Sequence, residues 1–129
     1  ILKRKAFTVS MAEAGQVVAC DYVGIVSGNK VADKFARAGF HATRSEFVDA
    51  PLIDELSVAM ECRLKDYNPE TSILRGEIVN VSVDERVLGE NGKVDASKVV
   101  PIIFDPFNND YLKVGEKVGN AFSDGKILK

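Results

Sequence analysis

Histidine, cysteine and proline are scarce in this chain, and long apolar runs are missing. Its 129 residues include one histidine, His41, two cysteines, Cys20 and Cys62, and four prolines. A single histidine leaves no material for a His-rich metal site. A Ser-His-Asp relay would have to be built around His41 in the loop-like stretch Gly39-Phe40-His41-Ala42-Thr43, where a turn or surface histidine is the plainer reading. The cysteines show neither CxxC nor metal-ligand spacing, which fits two reduced core thiols and a cytosolic protein better than a disulfide framework. No stretch approaches the roughly 18 apolar residues of a membrane span, and the visible start does not resemble a signal peptide. A soluble, cytoplasmic protein without a membrane partner is expected.

A basic stripe is also missing. The 17 basic and 19 acidic residues are interspersed and leave a net charge of −2, so no surface is set up to neutralise a run of phosphates, and nucleic acid is not an expected partner. GxGxxG after a strand, GxxxxGK[ST], HExxH and GxSxG are all absent, which removes the Rossmann, P-loop, zincin and nucleophile-elbow mechanisms. The adjacent carboxylates Asp54-Glu55 and Asp84-Glu85 fall in turn regions, where solvated charge is sufficient explanation.

What is present is the composition of one folded domain. Hydrophobic residues make up 46% and charged residues 28%, enough to bury a core. Ile1-Leu2-Lys3-Arg4-Lys5 reads either as the last turn of a helix, with cations complementing the dipole, or as a disordered remnant. Ala6 to Ser10 is β-prone. Val17, Val18, Tyr22, Val23 and Ile25 recur at roughly helical spacing, which predicts an amphipathic helix over 13–26. Val31, Phe35 and Ala38 predict a short second helix capped by Gly39. Ser57 to Lys65 alternates apolar and polar residues, Asp66 to Glu70 breaks the pattern, and Thr71 to Val83 is β-rich, together an antiparallel hairpin with one buried face. Asn91-Gly92 marks a turn, Val99 to Phe104 an edge or irregular strand because of Pro101, and Asp110 to Val114 a last strand. The class is mainly β with inserted helices, a Greek-key barrel. Between the two helices, the Gly24, Ser27 and Gly28 backbone allows close approach of an anionic or carbonyl-bearing ligand, although a purely structural turn has the same appearance.

The order of these pieces carries a resemblance. Phe7-Thr8-Val9-Ser10, Asp21-Tyr22-Val23-Gly24, Ser27-Gly28, Asp33-Lys34-Phe35, Ala38-Gly39-Phe40, Gly76-Glu77-Ile78-Val79, Asp105-Pro106-Phe107, Tyr111-Leu112 and Val114-Gly115-Glu116 span nearly the whole chain. Together they resemble the flavin reductase-like, FMN-binding split-barrel family of flavoredoxin type. The resemblance implies a split β-barrel of Greek-key topology that forms a homodimer and binds FMN near the subunit interface. It also implies that residues 1–129 are one such domain lacking its first strands and its phosphate-binding loop. The Ser/Thr, Lys and Asn residues for the FMN phosphate would lie just before and around Ile1, so a chain starting there is expected to bind FMN poorly.

Residue by residue, the resemblance places main-chain groups of Thr8, Val9 and Ser10 beside the isoalloxazine. Ser27 and Gly28 match a Ser-Gly turn, and Lys34 matches a lysine near the flavin, where a cation favours the reduced ring. Tyr111 matches an aromatic at the ring edge. Relatives often carry a histidine at the end of the Gly-Glu-Ile-Val strand, whereas this chain has Asn80-Val81-Ser82-Val83. The implied function is an oxidoreductase moving electrons from NAD(P)H, or a protein donor, to flavin or another acceptor. A flavin-binding electron carrier without turnover and a split-barrel dimer without flavin are the alternatives. No dinucleotide fingerprint exists, so reduced nicotinamide would have to stack on an exposed flavin face.

Overall fold

The computed structural model describes all 129 residues. Strand β1 (Ala6–Ser10) pairs antiparallel with β4 (Val58–Asn68), which pairs antiparallel with β5 (Ile73–Val83). Between β1 and β4 the chain makes helix α1 (Val17–Ile25), a four-residue helix α2 (Lys34–Arg37) and a small antiparallel pair, β2 (Ala42–Arg44) with β3 (Pro51–Ile53). A four-residue helix α3 (Ala96–Val99) then leads to the hairpin of β6 (Ile102–Asp105) and β7 (Asp110–Lys113). The class is therefore mainly β with inserted helices. Its sheets stay separate instead of closing into one continuous barrel, which leaves one edge of β1 and one of β5 free.

Several expected elements change in extent. The long first helix is a 3-10 turn over Ala14–Gln16 followed by the nine residues of α1, and no residue of α1 is buried. Of the expected apolar positions, Val18 and Ile25 are 81% and 74% exposed while Val17, Tyr22 and Val23 are half-buried, so the expected apolar face is only partly covered. The second helix shrinks to one turn, and Gly39 ends it with φ +77. Strand β4 runs on through Asp66 and Tyr67 to Asn68, because Arg75 and Asp66 pair across the hairpin at 2.6 Å and satisfy the charge that looked like a breaker. The β2–β3 pair was not expected, since three-residue strands carry too little pattern to stand out.

The first five residues form a turn closed by the Lys5 N–H to the Ile1 carbonyl, 2.8 Å, with Lys5 at φ +56. Pro101 is irregular as expected. It follows Val100 in the left-handed region and bridges back to Glu13. The small core joins Val58 and Val83 of the hairpin to Val87 and Val99. Its neighbour Ser57 is fixed by Glu13, whose carboxylate accepts both the Ser57 N–H and hydroxyl at 2.6 Å.

Candidate functional site

The register of β1 decides which of its backbone groups remain available. The Met11 N–H donates to the Val58 carbonyl and the Leu64 N–H to the Lys5 carbonyl. In an antiparallel ladder the groups of alternate residues face the same neighbour, so Val9 and Phe7 also spend theirs on β4. Those of Ala6, Thr8 and Ser10 point to the free edge. Further along, the same edge is already used, since Ala14 donates to Val100 and Ala12 accepts from Ile102. Of the three residues placed beside a ring by resemblance, Thr8 and Ser10 offer main-chain groups outward and Val9 does not. The Ser10 hydroxyl is also the one buried side-chain polar atom with no hydrogen-bond partner. Such orphans are rare in folded chains.

Ser27, Gly28 and Lys34 are gathered at the end of α1. The Lys34 ammonium donates to the carbonyls of Val23 and Val26 at 2.9 and 2.8 Å. These are orphan acceptors of the last turn, so the lysine caps the helix and its charge sits at the negative end of the dipole. Its stem passes 3.7 Å from where a Cβ on Gly28 would stand, and the Ser27 hydroxyl accepts the Asn29 N–H at 3.3 Å. Tyr111, on β7, donates its hydroxyl to Asp21 of α1 at 2.8 Å and packs against Phe104 with ring centroids 5.8 Å apart. That hydrogen bond to a carboxylate raises the phenol's pKa. The predicted residues thus form three local groups: the β1 edge, the end of α1, and the β7 tyrosine tied to the middle of α1.

One buried constellation has no motif in the sequence. Glu61 of β4, the residue opposite Thr8, has no solvent-accessible surface. Its carboxylate accepts hydrogen bonds from the Ser45 hydroxyl, the Asn80 amide at 2.7 Å and the Ser82 hydroxyl at 2.5 Å. Burial is the largest single influence and pushes its pKa up, but the three donors together hold it below the usual carboxylate value. Asn80 and Ser82 lie in the segment where relatives often carry a histidine, and here both serve this buried charge. The alternation along β4 puts Glu61 with Arg63 and Lys65 in its polar set, on the face expected outward, so the burial of this glutamate corrects that pattern. His41 is exposed, as expected. Its Nδ1 lies 2.6 Å from Glu55, whose other oxygen accepts the His41 N–H at 2.9 Å, so Glu55 is not idle charge. Asp84 is likewise engaged, accepting the Arg86 N–H and its guanidinium. Cys20 and Cys62 are free thiols, the second buried. No group of acidic, cysteine or histidine side chains is arranged to hold a metal ion.

Beside β1 lies a cleft of about 560 Å³ lined by Arg4, Ala42, Thr43, Arg44, Asp49, Ala50 and Pro51. It is joined to β1 by the Thr8 hydroxyl, which donates to the Pro51 carbonyl at 2.6 Å.

Comparison with known proteins follows the same geometry. The family model of the flavin reductase like domain matches residues 1–104. The chain is 41% identical to flavoredoxin of Desulfovibrio vulgaris (Miyazaki F), with a TM-score of 0.89, covering 97% of this chain and 67% of that one. It is 31% identical to a flavoredoxin from Methanosarcina acetivorans, with a TM-score of 0.88, covering all of this chain and 68% of that one. An uncharacterized protein of Aquifex aeolicus (strain VF5) is 36% identical over 72 residues, which are 54% of this chain and only 37% of that protein. The chain therefore spans about two thirds of the flavoredoxin structures and little more than a third of the Aquifex protein. On the match over most of its length, and on its likeness to two flavoredoxins, the chain belongs to the flavin reductase-like family and has its split-barrel fold.

Proposed function

We propose that this chain forms part of a flavin-dependent oxidoreductase that holds FMN and moves electrons from NAD(P)H, or a protein donor, to flavin or a further acceptor. The observation that carries the reading is the unspent hydrogen-bonding capacity on β1: the outward main-chain groups of Thr8 and Ser10, and the partnerless Ser10 hydroxyl. A flavin ring edge alternates donors and acceptors, so the residues present fit that group. When bound, FMN supplies the electron chemistry, accepting a hydride or single electrons.

The chain supplies position and field. Thr8 and Ser10 would orient the ring by its polar edge. Lys34 has two of its three N–H donors fixed on α1 carbonyls, which leaves one donor and a located positive charge to favour an electron-rich ring. Ser27 and Gly28 shape the turn around that lysine, and Tyr111 would close the ring's flank while Asp21 holds its hydroxyl. We further propose a homodimer and a cytoplasmic setting; the second is supported by two free thiols.

Steady-state oxidation of NADH and NADPH by the purified full-length protein with added FMN tests turnover. Saturable dependence on one pyridine nucleotide is expected. Flavin binding without such dependence would assign an electron carrier in place of a reductase.

A further inference from the structure

We propose that the cleft between the start of β1 and the β2–β3 pair binds the pyrophosphate of the reduced nicotinamide donor through Arg4 and Arg44. This rests on the reductase reading above and adds to it the place where the donor's charge is held. Arg4 and Arg44 approach the cleft from separate elements, and Asp49 is the only carboxylate paired with either. Arg4 holds it at 3.0 Å, whereas Arg44 stands 3.8 Å away, beyond hydrogen-bond length. Two guanidinium groups thus share one carboxylate, and the fork of Arg44 has its donors unspent. Both side chains are well exposed, at 64% and 83%, so a ligand can reach them without rearranging the core.

The walls of the cleft are fixed. Ser45 donates its hydroxyl to the buried Glu61 and accepts the N–H groups of Phe47 and Val48 at 3.0 Å, while its own N–H donates to the Ala50 carbonyl at 3.1 Å. The turn that carries Asp49 is therefore fastened to the main sheet at one end and closed on itself at the other. Asp49 acts as a resident counter-ion that keeps the arginines from collapsing onto other acceptors and gives way to a doubly charged ligand. Guanidinium pairs suit this task because each presents parallel donors that match phosphate oxygens. The hydrogen bond from Thr8 to Pro51 makes the cleft contiguous with the β1 edge, so a dinucleotide anchored here by its pyrophosphate has its nicotinamide end directed toward that edge.

The test compares Arg4→Ala, Arg44→Ala and Asp49→Asn with the wild-type full-length protein. For each, KM and kcat for NADH and NADPH are measured together with the FMN dissociation constant and the heat of binding of inorganic pyrophosphate. Loss of either arginine should raise both KM values about tenfold, as expected for a charged hydrogen bond to phosphate. The same loss should weaken pyrophosphate binding to the same degree and leave kcat and FMN affinity unchanged. Asp49→Asn should act in the opposite direction and lower KM, a result that a merely structural ion pair would not give. Unchanged KM and unchanged pyrophosphate binding in both arginine variants would overturn the proposal, as would weakened FMN binding with KM unmoved. Should the wild-type protein bind no FMN at all, the reductase reading fails by itself, and pyrophosphate binding still decides whether the cleft is an anion site.

Discussion

At the scale of single residues, the pair His41–Glu55 has a defined pH behaviour. Its hydrogen bond to Glu55 raises the His41 pKa above the ordinary 6.5, and the His41 N–H and ring lower that of Glu55 below its ordinary 4.5. A raised histidine pKa means its contribution is complete below the unfolded value and fades as pH rises through the folded one. A depressed carboxylate pKa means the contribution is present above the unfolded value and fades as pH falls through the folded one. The pair is therefore fully formed between these ordinary values and weakens on both sides. NMR titration of His41 should show its pKa falling toward the ordinary value in Glu55→Gln; an unchanged titration would exclude the contact. Glu61 is more consequential, since Gln in its place keeps one acceptor oxygen and puts an amide against the donors of Ser45, Asn80 or Ser82. Glu61→Gln should cost about 2 kcal/mol in denaturant unfolding at neutral pH. The cost should shrink as pH falls through the lowered Glu61 pKa. Alternation along β4 groups Glu61 with Arg63 and Lys65 and so assigns it to solvent; a period-two pattern carries no sign of the Ser45, Asn80 and Ser82 donors that let a carboxylate stay buried there.

At the scale of elements, the hairpin was the most legible feature because eleven-residue strands repeat their alternation often enough to be recognised. Gly76 shows what the pattern left out. A Cβ there would stand 2.5 Å from the Phe7 ring and 3.3 Å from the Cys62 Cβ, so the ring of β1 reaches across β4 to lie on the glycine of β5. Gly76→Ala should destabilise the fold by about 1–3 kcal/mol, the cost of displacing a packed ring. A melting temperature equal to wild type would show that Phe7 moves away freely. The resemblance assigns Lys34 a place beside the flavin but says nothing of its capping of α1, because two carbonyls three residues apart become neighbours only once the helix and the following turn exist. Lys34→Met should therefore loosen the end of α1, seen as faster amide exchange at Val26, as well as weaken FMN affinity. The β2–β3 pair, three residues to a strand, had no sequence signal, and the arginine cleft it lines was invisible for the same reason.

At the scale of the whole molecule, much apolar surface stays open. Val9, Met60 and Val81 form one row across the three-stranded sheet and Phe7, Cys62 and Ile78 the next, yet Val9, Val81 and Ile78 are 44%, 52% and 56% exposed. Exposed apolar rows next to a free strand edge call for a cover, which supports the proposed homodimer. The family could be read from ordered fragments spread over nearly the whole chain, and the resemblance singled out Thr8, Val9 and Ser10, while the split between Thr8 and Ser10, which face the free edge, and Val9, which does not, emerged only from the hydrogen-bond register of β1. The proposed flavin site stands or falls with that edge. Fluorescence titration of FMN with the full-length protein, repeated with Ser10→Ala, tests it directly. Saturable quenching that weakens several-fold in the variant is the predicted result; no quenching by the wild-type protein, or identical affinities for both proteins, would contradict it.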